Sequence, residues 1–176
     1  MTARALDYAA RVIWDGNTGE GTRSYTSYDR RYRALVAGKP DLAGSADPAF
    51  RGDADAYNPE DLFLTSVSAC HMLLYLSLCA RKGVRVLAYE DDAQGRLVLD
   101  ASGGGRFEEI TLRPHVTIDD EAKAALAAEL HDTAHELCFI ANSCSARIRH
   151  RPTIQTRRAA PADRRAVPPG MTGAVP

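Results

Sequence analysis

Between Asn58 and Lys82 lies the stretch that most limits how this chain can fold, because from Leu62 to Ala80 it carries no charged side chain. Its start has helix-start chemistry. Asn58 is a good N-cap, Pro59 suits a first helical position that needs no amide proton, and Glu60 and Asp61 put negative charge on the positive end of the helix dipole. Leu62, Phe63, Leu64, Val67, Met72, Leu73, Leu74, Leu76 and Leu78 are spread around the wheel instead of forming one stripe. A helix apolar all round lies either in a protein core or in lipid. Its length is close to the roughly 20 residues of a membrane span. However, Thr65, Ser66, Ser68, His71 and Ser77 interrupt it, and the rest of the chain is patterned as a soluble domain. The expectation is a buried helix covered by a sheet and a second subunit, with no membrane.

At 176 residues, with 45% apolar residues and a formal net charge of -1, the chain is expected to form one domain with a real core. That balance implies neither nucleic acid nor an acidic partner. No charged segment followed by an apolar run marks a secretory signal at the N-terminus, so the expected location is cytoplasmic. In a reducing cytoplasm the four cysteines are not a structural disulfide framework. They are buried small hydrophobes, metal ligands or redox-active thiols.

Taken in order, residues 6–14, 21–28 and 32–37 read as short strands of an antiparallel sheet, and 38–57 as a long loop into the helix. Lys82-Gly83 stops the helix, and residues 84–90, 94–100 and 106–118 read as further strands. Pro114 in the last of these suggests an edge or a bulge. Asp119 is expected to cap a second, amphipathic helix from about 120 to 138, with Leu126, Leu130, Thr133, Ala134 and Leu137 on its apolar face. A final strand at about 145–154 alternates Ile148 and His150 with Arg147, Arg149 and Arg151. From Gln155 on, Arg, Pro, Ala and Gly leave little to bury, so 155–176 reads as a disordered tail behind a domain at 1–154. The architecture is therefore α+β, with two antiparallel sheet segments and two main helices.

Cys70 and Cys79 lie nine residues apart on one helix, hence on opposite faces, and cannot bridge each other. Cys79 reads as core. Cys70 has the small residues Ser66, Ser68 and Ala69 before it and His71 after it. It stands too far from the helix start to feel the dipole, so a thiolate there needs an external cation. Cys138 ends His135-Glu136-Leu137-Cys138, where the histidine either favours a thiolate or is an exposed helix-end residue. A third reading takes His131, His135 and Cys138, on one helix face, as zinc ligands, although no fourth ligand or Cys-x-x-Cys pair accompanies them.

Asn58-Pro59-Glu60-Asp61-Leu62 and Ser68-Ala69-Cys70-His71, followed 68 positions after Cys70 by Ala134-His135-Glu136-Leu137-Cys138 and then Asn142, together resemble the OsmC/Ohr family of bacterial thiol peroxidases, in particular its OsmC-like branch. The resemblance covers about residues 6–154. It implies an intertwined homodimer with active sites at the subunit interface, reducing organic hydroperoxides, and in some members hydrogen peroxide, without haem, flavin or metal. It also implies that Cys70 is the peroxidatic cysteine and Cys138 the second cysteine. A dithiol reductant, a lipoyl protein or a thioredoxin, would reset their disulfide. Glu60 matches the family's glutamate, and Arg51 stands where the OsmC-like branch has its thiolate-stabilising arginine, with Arg30, Arg31 and Arg33 as competitors. Many members follow the second cysteine with proline, whereas Phe139 follows it here and Cys144 is an additional thiol. A redox-sensing or small-molecule-binding protein on the same fold is the alternative function. Glu60 and Cys70 are ten residues apart on the helix, about 15 Å along its axis, so one site can use both only through an arginine or a second subunit.

Overall fold

The computed structural model describes residues 4–157. The chain divides into two compact units, one up to Val67 and one from Ser68 onward. The first contains strands β1 (Arg11–Trp14), β2 (Tyr32–Leu35) and β3 (Leu42–Gly44). They form an antiparallel sheet in the order β1-β2-β3, with Trp14 opposite Tyr32 and Tyr32 opposite Gly44. The strand expected at 21–28 is instead a run of turns, whose ladder pairing among the described residues is an isolated bridge between Asn17 and Tyr28. The reason is local. Asn17 Oδ1 accepts from the amides of Gly19 and Gly21, and Ser27 Oγ accepts from the Ser24 amide, so side chains take the backbone donors a ladder would need. The expected long loop also contains β3 and a 3-10 turn at Pro48–Phe50, capped by the Asp47 carboxylate.

Helix α1 runs Pro59–Arg81. Its start is a reciprocal cap in which Asn58 Oδ1 accepts from the Asp61 amide at 2.8 Å and Asp61 Oδ2 accepts from the Asn58 amide at 3.3 Å. Its fully buried positions, Val67, His71, Tyr75 and Cys79, recur every four residues, whereas Leu73 is 64% exposed. Within one chain, then, only one stripe of this apolar helix is covered. By length and composition it could cross a membrane, a test that core helices of soluble proteins also pass.

The second unit adds β4 (Val86–Asp91), β5 (Gln94–Leu99), β6 (Gly105–Leu112), β7 (Pro114–Ile118), α2 (Ala124–Leu137), β8 (Arg147–His150) and β9 (Thr153–Thr156). Two three-stranded sheets result, ordered β4-β7-β9 and β5-β6-β8. The β4-β7 and β5-β6 pairs are antiparallel, while β6-β8 and β7-β9 are parallel. The α+β class with small sheets and a long central helix is therefore as expected, and the sheets among the described residues number three. The single run expected at 106–118 breaks at Arg113, whose amide donates to Asp91 Oδ1 at 2.6 Å. Pro114 sits neither at an edge nor in a bulge. It opens β7, the middle strand, at a first position where a missing amide is tolerated. The final run likewise breaks at Arg151-Pro152, which sends β8 to one sheet and β9 to the other. Strand β9 carries pairing to Thr156, and residues 158–176, most of the segment expected to be a tail, lie outside the described residues.

The core of this unit gathers Tyr75 and Cys79 from α1, Val84, Val116 and Ile118 of β7, and Ala127, Leu130 and Ala134 of α2. A short 3-10 turn, Glu121–Lys123, capped by Asp120, leads into α2. The buried stripe of α2 is Ala127, Leu130, His131 and Ala134, whereas Leu137, expected on its apolar face, is half exposed.

Candidate active site

Cys70 lies in the middle of α1, half-buried, and Cys138 is the fully buried C-cap residue of α2. Both thiols are free, and they are neighbours, close enough for Cys70 to raise the Cys138 thiol. Burial pushes the Cys138 thiol up to about 11, opposed by the amides of Ala141 and Ile140 and reinforced by the adjacent Cys70. Those amides are in place because the chain turns tightly after α2. The Asn142 amide donates to the Cys138 carbonyl at 2.9 Å, the Asn142 side chain donates to the Glu136 carbonyl, and a 3-10 turn follows at Ala141–Ser143. At neutral pH Cys138 is thus a protonated thiol beside the half-buried Cys70.

The other two cysteines stand apart from this pair. Cys79 packs in the core beside Tyr75 with its thiol pushed up by burial, as its reading as a core residue expected. Cys144 is half-buried and donates to the Ala141 carbonyl at 3.4 Å.

Arg51 and Glu60 belong to the first unit. Arg51 caps the Pro48–Phe50 turn with φ of +65°, a left-handed conformation that is costly for a side chain larger than glycine. A side chain at the next position, Gly52, would run into the Ala46 carbonyl, so the loop packs closely just after Arg51. The Arg51 side chain is exposed and lines a cavity of about 450 Å3 with Arg30, Tyr28 and Asp53. Its competitors are committed elsewhere. Arg30 donates to the Tyr28 and Tyr25 carbonyls at 2.5 and 2.6 Å and lies over both tyrosine rings. Arg31 pairs with Asp29 at 2.8 Å, and Arg33 joins Asp15 and Asp41. Among the described residues Arg51 is the one of the four whose guanidinium has no such partner. Glu60 is half-buried in the first turn of α1. Because Asp61 supplies the reciprocal cap, Glu60 is not used to close the helix end.

The largest departure from expectation is a buried histidine cluster. His71 Nε2 and His131 Nδ1 are 2.9 Å apart, and the two rings are nearly coplanar at 9°. Tyr75 stacks on the His131 face with centroids 3.8 Å apart, and His150 lies 5.6 Å from His71 and 5.5 Å from His135. His71 Nδ1, His131 Nε2, His135 Nδ1 and His150 Nδ1 are buried without a hydrogen-bond partner. Orphaned groups of this kind cost about 1–3 kcal/mol each. Burial, with His150 and His135 nearby, depresses His71 to about 4, and burial with His71 and His150 depresses His131 to about 3. His131 therefore turns into the core toward His71, and among the described residues no group of three His, Cys, Asp or Glu side chains is arranged to hold a metal. A sequence signal for the cluster does exist: His71 interrupts the four-residue repeat Val67, Tyr75, Cys79 that marks the buried stripe of α1.

Comparisons with known proteins agree with this architecture. The family model described as OsmC-like protein matches residues 52–153. An OsmC-like protein of unknown function from Vibrio cholerae is 28% identical, with a TM-score of 0.75, covering 85% of this chain and 100% of that one. An organic hydroperoxide resistance protein from Elizabethkingia anophelis is 16% identical with a TM-score of 0.62, covering 89% of this chain and 100% of that one. The organic hydroperoxide resistance protein of Bacillus subtilis is 21% identical with a TM-score of 0.53, covering 84% and 98%. No curated protein sequence matches significantly. With its two motif cysteines side by side and more than half its length matched by the family model, the chain belongs to the OsmC-like protein family.

Proposed function

We propose that this protein is a thiol-dependent peroxidase that reduces organic hydroperoxides with Cys70 and Cys138. The observation that carries the reading is the pairing of a half-buried Cys70 with a buried, protonated Cys138. Cys70, as thiolate, attacks the hydroperoxide: an S–O bond forms, the O–O bond breaks, and the alkoxide leaves as alcohol after taking a proton. The Cys70 sulfenic acid then condenses with the Cys138 thiol, forming the S–S bond and releasing water with the thiol proton. A dithiol reductant of the lipoyl or thioredoxin type restores both thiols by exchange. A protonated second thiol suits this order, because it does not compete as the first nucleophile.

Arg51 is assigned the role of stabilising the thiolate and Glu60 that of holding Arg51. Support for Arg51 is its unpartnered guanidinium, since the other three arginines are engaged. The protein is further proposed to act as a homodimer in the cytoplasm, with the second copy covering apolar side chains such as Leu73. Organic hydroperoxide resistance proteins among the structural neighbours favour this reading over simple redox sensing. Treatment with one equivalent of cumene hydroperoxide followed by peptide mass spectrometry should show a Cys70–Cys138 disulfide. Persistence of both thiols beside unreacted peroxide would defeat the reading.

A further inference from the structure

We propose that His71 and His131 are positioning residues whose buried hydrogen bond fixes the register of α1 against α2, and so holds Cys70 where it can form a disulfide with Cys138. The proposal rests on the reading of these two cysteines as a disulfide-forming pair. His71 is peptide-bonded to Cys70, so a fixed His71 ring limits rotation of the helix at the sulfur. His131 lies seven residues before Cys138, two turns away on the same face of α2. The 2.9 Å contact therefore joins the two helices beside one thiol and along the face that carries the other.

Apolar packing between helices is not directional and tolerates sliding, whereas a disulfide does not. Its Cα atoms must lie within about 4.4–6.8 Å, and one residue of helix rise is about 1.5 Å. A hydrogen bond between two rigid rings supplies the missing direction. The surroundings leave the rings little freedom: Tyr75, one turn beyond His71 on α1, stacks on His131, and His150 of β8 lies against both rings, its Nε2 held 3.3 Å from Asp132. Neutral imidazole has one donor and one acceptor, so either tautomer arrangement makes this bond and leaves one donor and one acceptor unpaired. His71 Nδ1 and His131 Nε2 are those two atoms, both buried. Two aliphatic side chains would fill the same space without orphaned groups. The bond itself is what the histidines add.

Closure is tested by equilibrating the reduced protein with glutathione disulfide, which converts the dithiol to the Cys70–Cys138 disulfide and two glutathiones without any peroxide. Loss of peroxide turnover alone would thus defeat the functional reading and leave this one standing. His71→Leu should lower the closure equilibrium constant at least tenfold, while His71→Gln, whose carboxamide reaches the position of Nε2, should stay within threefold of wild type. His131→Asn, which places an amide near the position of Nδ1, should likewise be rescued relative to His131→Leu. If a leucine variant does not fold, the wild-type protein decides through nitrogen-15 spectra of its histidine rings: the His71 and His131 signals should shift between the dithiol and disulfide forms. The proposal is overturned if the leucine variants close as well as wild type, if glutamine and leucine are equally poor, or if the ring signals are unmoved by oxidation.

Discussion

The sheet in residues up to Val67 and the core formed from Ser68 onward are stabilised by opposite means. In the first, ion pairs such as Arg33 with Asp15 and Arg31 with Asp29 lie in water, and the sheet exposes Val12 and Trp14. In the second, Val116, Ile118, Ala127 and Ala134 are sealed, and even the polar groups His71 and His131 are buried. Exposed pairs contribute little to stability, whereas sealed side chains the size of Val116 and Ile118 contribute about 1.5–3 kcal/mol each. The contrast teaches where each part of the proposed chemistry can reside. The thiols need fixed geometry and lie in the packed unit; the arginine and glutamate supply charge and can lie on an open surface. Changes in the second unit should therefore act as switches, and changes in the first as graded adjustments.

The largest expected effect is Cys70→Ser, which should abolish hydroperoxide turnover with a lipoyl dithiol as reductant. Cys138→Ser should instead allow one oxidation and leave Cys70 as a sulfenic acid, detectable with dimedone by mass spectrometry. Equal residual turnover in both variants would break the division of roles between the two thiols.

Acid should act on the packed unit next. In the unfolded chain His71 and His131 bind protons below about pH 6.5, while the folded protein keeps them neutral down to about 4 and about 3. Between those limits the unfolded state holds more protons, so stability is complete above about pH 6.5 and falls as the pH is lowered toward 4. With both groups contributing, the slope approaches about 3 kcal/mol per pH unit. Urea unfolding at pH 7, 6 and 5 measures it. His71→Gln should reduce the slope, and an unchanged slope would remove His71 from the account.

Ile118→Ala, in the middle strand of the packed unit, should cost about 2–5 kcal/mol, read as a lower urea midpoint at constant m-value. Turnover below the unfolding transition should persist, because Ile118 carries no part of the thiol chemistry.

How much of this could be read in the sequence follows the same division. The capped start of α1 and the separation of the two cysteine motifs are local or motif signals, and the structure contains both the helix and the paired thiols. The strand expected at 21–28 is absent because Asn17, Ser24 and Ser27 satisfy backbone groups through contacts that periodicity does not register. The apolar face of α2 is rotated from the expected one, so that His131 is buried and Leu137 is not. The histidine pair joins residues 60 positions apart, and a spacing rule applied to α2 alone groups His131 with His135 and Cys138 instead. Which arginine is free was likewise illegible, since it depends on what Arg30, Arg31 and Arg33 touch.

That last point gives the smallest and most discriminating pair of variants. Arg51→Ala should slow peroxide-dependent oxidation of Cys70 by about 10- to 100-fold, as removal of the cation proposed to favour its thiolate requires, with no shift of the urea midpoint. Arg33→Ala removes a guanidinium already joined to Asp15 and Asp41 in water. It should leave the oxidation rate unchanged and move the unfolding midpoint only near the limit of measurement, by an amount that vanishes in about 1 M salt. Stopped-flow oxidation of the two variants side by side separates a guanidinium that is free to meet a thiolate from one that only ties a surface together. If Arg33→Ala is the slower of the two, the arginine assignment passes from the loop before α1 to the sheet.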